Sequence, residues 1–237
     1  MGDLLLPAGC ISCGTWVPGG AEAALVCARC RTRLKVAPWP RCERCHCPSG
    51  TELASDLQCR GCQDWLSPLS AARFAYALAP PADDLVHALK YEGWPELAPL
   101  MSSAMTSLPI PNKHGRVIVA PVPTTPRRLR TRGYNQAALL ADCYAADRSL
   151  PLEEPLLRTQ TGSSQTSLQP SERRANVAGT FSLAAGAASG LQGAHVLLID
   201  DVLTTGATAD TLIAGGAERV TLVAYARALP DDRLTAP

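Results

Sequence analysis

No stretch of this 237-residue chain stays apolar for the roughly 18 residues a membrane-crossing helix needs, so no spanning segment is expected. Charge of one sign is also missing: the formal net charge is +1, which argues against a general nucleic-acid coat and against an acidic or disordered tail. The start, Met1 to Pro7, has neither a basic region nor an apolar core, so it does not read as a secretory signal, and the expected compartment is the cytoplasm. Lysine is scarce. Lys35, Lys90 and Lys113 are the only ones, and none follows a glycine, which excludes a Walker A loop. His87 and His114 stand alone, and no Ser/His/Asp or Cys/His constellation is evident.

What the chain does have is cysteine, 10 in all. Eight form C-x-x-C pairs: Cys10/Cys13, Cys27/Cys30, Cys42/Cys45 and Cys59/Cys62. Thirteen residues separate the first two pairs and thirteen the last two, so one C-x2-C-x13-C-x2-C frame occurs twice in tandem. In a cytosolic protein disulfides are rare, and two such knuckles aimed at one ion complete a closed four-thiolate shell. Each frame therefore predicts a structural zinc ribbon, with iron in the same tetrahedron the chemical alternative. A closed shell leaves no open position for catalysis, and metal binding would supply folding energy to a segment with few large apolar side chains. His46 and Cys47 are spare donors read as local, and Cys143 as a small hydrophobe in a helix. Seven basic against six acidic residues give the ribbon region little support as a nucleic-acid surface.

Beyond Pro68 the pattern changes. Arg73–Leu78 alternates like a strand; 83–91, 95–108 and 134–146 carry helical spacing; 117–120, 196–199 and 219–225 read as strands. Strands alternating with helices imply a doubly wound parallel sheet, whose ligands sit at the carboxyl ends of strands. The expected division is residues 1–66 for the ribbons and 67–237 for one α/β domain.

Asp200 and Asp201 follow the apolar run ending at Ile199, and Thr204, Thr205, Gly206, Ala207 and Thr208 come next. Small hydroxyl residues opening a helix suit an anion, while two carboxylates suit ribose hydroxyls or a metal. This stretch resembles the phosphoribosyl pyrophosphate (PRPP) signature of type I phosphoribosyltransferases. The resemblance implies that Asp200 and Asp201 hold the ribose hydroxyls and that residues 204–208 wrap the 5-phosphate. Leu89–Gly93, Pro121–Pro123, Arg132–Gln136 and Arg173–Val177, together with the paired ribbons, are similar to the ComF/GntX family over about residues 8 to 229. That family's helix after the phosphate loop runs about a turn longer; here Gly215-Gly216 ends it early.

From Leu97 to Ala141 there is no acidic residue, and Arg127, Arg128 and Arg132 lie just after the strand ending at Ala120. The resemblance puts pyrophosphate there with Mg2+, and arginine forks suit it, although a solvated basic face has the same composition. Arg158 to Pro170 is polar and acid-free, similar to the lid over PRPP in this fold or to a plain surface loop; Arg158, Gln165, Arg173 and Asn176 are the candidates there. Two readings follow. One is a PRPP-dependent phosphoribosyltransferase linked to DNA uptake in natural competence. The other is a non-catalytic PRPP- or nucleotide-sensing adaptor whose ribbons bind single-stranded DNA or a protein of the competence machinery. The acceptor base or amine is not identified by any motif.

Overall fold

The computed structural model describes residues 9–17, 25–48, 59, 62, 69–111, 115–158, 180–203 and 208–229. The short helix α1 (Ala28–Thr32) belongs to the cysteine region, and β1 (Leu69–Ala77) opens the sheet. Next come α2 (Ala82–His87), a π-helical turn over Ala88–Glu92, α3 (Leu97–Thr106), β2 (Val117–Pro121), α4 (Pro126–Arg132) and α5 (Gln136–Arg148). The strands β3 (Leu156–Arg158) and β4 (Phe181–Leu183), α6 (Ala187–Leu191), β5 (His195–Leu203), α7 (Thr208–Ala214) and β6 (Arg219–Arg227) complete the described elements.

Four strands form a parallel sheet in the order β1-β6-β5-β2, while β3 and β4 pair antiparallel. Parallel strands buried on both faces need a near-continuous apolar run, and β5 supplies one. Val196 and Leu198 enter the core layer that holds Leu191 of α6 and Leu212 of α7. Leu197 and Ile199 enter the opposite layer with Leu85, Met101 and Tyr144 from α2, α3 and α5. Helices thus cover both faces, as the alternation of strands and helices predicts. The acidic pair lies within β5 rather than in the loop after it, because β6 continues to pair with β5 as far as Leu203.

Both sheet edges are covered, which removes open templates for pairing with another chain. On β1, the N–H of Ala72 donates to Arg44 O and that of Ala77 to Lys35 O, each at 2.8 Å. On β2, Val119 N–H donates to Pro151 O at 2.8 Å and Val119 O accepts from Glu153 N–H at 2.9 Å.

The helix α7 has seven residues, short as its early glycines predict, yet it still meets the sheet. Ala209 and Leu212 are buried in the layer with β5 and β6. Gly215 permits this close approach, since a Cβ there would lie 2.7 Å from Leu183 and 2.8 Å from Leu191 side-chain carbons. Leu212→Ala is therefore expected to cost about 2–5 kcal/mol in chemical denaturation, and the half-buried Ile213→Ala clearly less. Equal costs would mean that the helix is not anchored through its inner face.

Candidate functional site

Strand β5 carries Asp200 and Asp201 to the carboxyl edge of the sheet, and the structure separates their roles. Asp201 is 2% exposed. Its Oδ1 accepts the N–H of Val202 at 3.0 Å, and its Oδ2 lies 2.6 Å from Lys90 Nζ. Asp200 is half-buried and faces the cavity, with Oδ1 accepting the N–H of Asp201 at 2.9 Å. Burial, and then the neighbouring negative charge of Asp201, push the Asp200 carboxyl well above the usual range, with Lys90 opposing. Of the two, Asp200 is the carboxylate set to gain a cation or hydroxyl donors, while Asp201 is already engaged by its own chain.

Lys90 reaches Asp201 from the π-helical turn, a geometry that is rare and often marks functional sites. The turn is held from outside: Tyr134 O–H donates to Leu89 O at 2.6 Å. It ends at Gly93, whose φ of 73° suits glycine in the left-handed region. Arg132 places its guanidinium carbon 5.2 Å from the centre of the Tyr91 ring. Asn135 caps α5 by accepting from Ala137 N–H at 3.2 Å and also donates to Val122 O at 3.1 Å. The segments around Lys90, Pro121 and Tyr134 are thus bonded into one wall.

That wall encloses a cavity of about 330 Å3. Asp200, Asp201 and Thr208 lie on one side, and Arg128, Arg132 and Arg158 also line it. Burial and the positive charge of Arg128 push the Arg158 guanidinium down, and Asp200 counteracts this. Arg127 lines an adjoining cavity instead. Thr204 to Ala207, and Gln165, Arg173 and Asn176, lie outside the described residues. Lys90, Tyr91 and Asn135, which fall in the motif segments Leu89–Gly93 and Arg132–Gln136 but were given no role there, also line the cavity with Asp200.

The cysteines gather as their spacing predicts. Cys10, Cys13, Cys27 and Cys30 form one group and Cys42, Cys45, Cys59 and Cys62 another, all Sγ atoms in each within 4.8 Å of one another. Sγ atoms of Cys13 and Cys27 lie 3.7 Å apart, and those of Cys42 and Cys62 3.8 Å. A disulfide needs about 2.05 Å, whereas a tetrahedron with metal–sulfur bonds of about 2.3 Å has edges near 3.8 Å. The donors therefore fit zinc. Burial pushes the Cys30 thiol up to about 12; hydrogen bonding to Cys47 and burial do the same to Cys45. Only a bound cation would make all four thiolates at neutral pH. His46 and Cys47 stay outside both groups: the His46 ring packs edge-on against Phe74, and Cys47 is buried beside Cys45 and Cys62. Cys143 is half-buried against the core.

A double zinc ribbon domain model matches residues 1–71. DNA utilization protein YhgH of Escherichia coli (strain K12) is 28% identical over 232 residues, covering 86% of this chain and 97% of that protein. Competence protein ComFC of Bacillus subtilis (strain 168) is 29% identical over 192 residues, covering 77% of this chain and 74% of that protein. The chain is thus similar to a competence protein and to DNA utilization proteins over most of its length. A glutamine PRPP amidotransferase from B. subtilis, solved with ADP and GMP, overlaps 58% of this chain and 26% of its own, at 19% identity and a TM-score of 0.32. That overlap is loose. The chain's own architecture is a four-stranded parallel sheet with the acidic pair in the inner strand β5, and a separate antiparallel pair of β3 and β4. Among the described residues no helix is long and apolar enough to cross a membrane.

Three outcomes are expected of this chain. A carboxyl whose pKa is raised on folding favours the native state while protonated, and this contribution is lost as pH rises through the raised value. Asp200→Asn should therefore raise the melting temperature of the unliganded protein at pH 8, by about 2–4 °C for each kcal/mol relieved, and the gain should shrink toward pH 4. A lower melting temperature at pH 8 would contradict the strained acidic pair. Elemental analysis should find about two zinc ions per chain. Because Arg44 and Lys35, which cover β1, lie beside the cysteine groups, stripping the metal should also cause aggregation visible as light scattering.

Proposed function

We propose that this ComF-like chain binds PRPP at the end of β5, in a phosphoribosyltransferase-type site, and that it serves DNA uptake from the cytoplasmic side. What carries the reading is one cavity with two adjacent carboxylates, Asp200 and Asp201, and four cations, Lys90, Arg128, Arg132 and Arg158, around it. A molecule with a diol at one end and phosphates at the other needs that polarity. Asp200 would accept the ribose hydroxyls, and Asp201 would support it by holding Lys90. Thr208, with the preceding residues 204–207, would take the 5-phosphate. Arg128, Arg132 and Arg127 would meet the pyrophosphate as bidentate partners. Mg2+ bound with the pyrophosphate would spread its charge, and Asp200 is the hard oxygen donor nearest to hand.

If transfer occurs, an acceptor nitrogen forms a bond to C1 of the ribose as the C1–O bond to pyrophosphate breaks, and the acceptor then loses a proton. Positioned charge supplies most of what such a step needs. One observation favours the second reading, a non-catalytic sensing adaptor with the ribbons left to meet single-stranded DNA or a protein. Among the described residues no histidine, cysteine or glutamate lines the cavity, which leaves the acidic pair and the departing pyrophosphate to take that proton. The competence link comes from what the relatives are called, a competence protein and DNA utilization proteins.

Titration calorimetry with PRPP and Mg2+ should show saturable binding, lost by at least tenfold in Asp200→Ala. No heat from the intact protein with zinc in place would sink the ligand assignment. Pyrophosphate release with a panel of bases and amines then separates transfer from sensing.

A further inference from the structure

The two four-cysteine groups share a spacing but not an environment. In the second group Cys45 and Cys62 are buried and Cys42 and Cys59 half-buried, so no member is exposed. In the first, Cys10 and Cys30 are buried and Cys27 half-buried, but Cys13 is exposed.

The charge around them differs as well. Four thiolates on one Zn2+ carry net negative charge, and the second group answers it with arginines. Arg44 donates to Cys62 O at 3.5 Å and Arg227 to Cys45 O at 3.0 Å. Arg73, buried in the body, acts electrostatically on Cys42 and Cys45. In the first group the N–H groups of Cys27 and Cys30 donate to Sγ of Cys10 and Cys27, each at 3.4 Å. Beside Cys13 Sγ, at 3.4 Å, is the neutral hydroxyl of Thr15. A nearby cation or N–H draws electron density from a metal-bound sulfur and lowers its nucleophilicity, and burial denies an oxidant access. Cys13 has the open approach and the weaker damping.

We propose that Cys13 is an oxidation site, through which a hydroperoxide strips the metal from the first ribbon and leaves the second loaded. The Cys13 thiolate attacks one peroxide oxygen, the O–O bond breaks, and the departing hydroxide takes a proton to become water. Cys13 is then a sulfenic acid. The Cys27 thiolate, whose Sγ lies 3.7 Å away, attacks that sulfur; the S–O bond breaks and a second hydroxide leaves as water after taking a proton. The sulfur pair loses two electrons, the peroxide gains them, and Zn2+ departs from the two remaining cysteines, Cys10 and Cys30.

The loss reaches the α/β body without any reference to what the acidic cavity binds. Ser12, between Cys10 and Cys13, donates to Asp84 of α2 at 2.6 Å, and Cys10 and Cys30 pack in one buried cluster with Leu85 and Leu89. Removing the metal therefore loosens α2 and the π turn that carries Lys90.

The test exposes the full chain, loaded with zinc, to limiting hydrogen peroxide in the presence of a chromophoric zinc chelator. One zinc ion per chain should be released, and the second at least about tenfold more slowly. Peptide mapping should find Cys13 joined to Cys27. Hydrogen exchange over residues 82–92 should quicken and should recover with dithiothreitol and zinc. Cys13→His keeps a tetrahedral donor set, so it should retain two zinc ions and resist the peroxide. Simultaneous release of both ions, a disulfide map without Cys13, or a two-zinc Cys13→His chain that loses its first ion as fast as the unaltered one overturns the proposal. The release order and the disulfide map of the unaltered chain decide it even where the variant fails to hold metal. Unchanged exchange over 82–92 after the first ion leaves would overturn the coupling to the π turn.

Discussion

A strand buried on both faces carries two adjacent carboxylates near its carboxyl end, and the surroundings of the sheet edge answer that concentration of negative charge. Burying one carboxylate without a partner costs several kcal/mol, and burying two side by side costs more. The chain meets the first demand with Lys90 at 2.6 Å from Asp201. It leaves the second, at Asp200, only partly met, which is how a binding site keeps free energy in reserve for a ligand. Lys90 can reach only because the helix after α2 widens into a π turn, and that turn is tied by Tyr134 to the segment leading into α5. The elements after β1 and after β2 are therefore organised around the end of β5.

The cysteine region plays a different part. Its closed four-thiolate groups offer no open coordination position, and its contacts run to the back and edge of the α/β body rather than to the acidic cavity. Ser12 donates to Asp84 at 2.6 Å, Arg44 donates to Leu69 O at 3.1 Å, and Arg227 donates to Cys45 O at 3.0 Å. Cys10 and Cys30 share a buried cluster with Leu85 and Leu89. The first ribbon is thus packed into the same layer that positions the π turn, and the second shields the outer edge of β1. Metal supply and site geometry are joined through packing, without the metal touching the cavity.

Much of this was legible in the sequence because the signals were periodic. The repeated cysteine spacing anticipated both metal groups, and the apolar runs at 117–120, 196–199 and 219–225 located three of the four parallel strands, with β1 anticipated from its alternation. Strand ends were less legible. Asp200 and Asp201 look like loop residues by composition, but backbone pairing with β6 overrides their low strand propensity. The helix α4 was invisible because its sequence, rich in arginine with no apolar stripe, gives no 3.6-residue period; its capping residues alone make it. Lys90 stood in the Leu89–Gly93 motif without a role, because that role appears only when a residue more than a hundred positions away is folded against it.

The π turn has a consequence for how this segment tolerates change in length. An α-helix advances about 100° per residue, so a wider turn acts as a phase correction between the residues before it and those after it. Deleting one residue within Ala88–Glu92 would return the segment to ordinary helical phase, swinging its side chains around the axis without necessarily unfolding anything. The stretch is in this sense a ruler with one fixed mark: substitutions along it are graded in effect, whereas its residue count is an all-or-none property of the site.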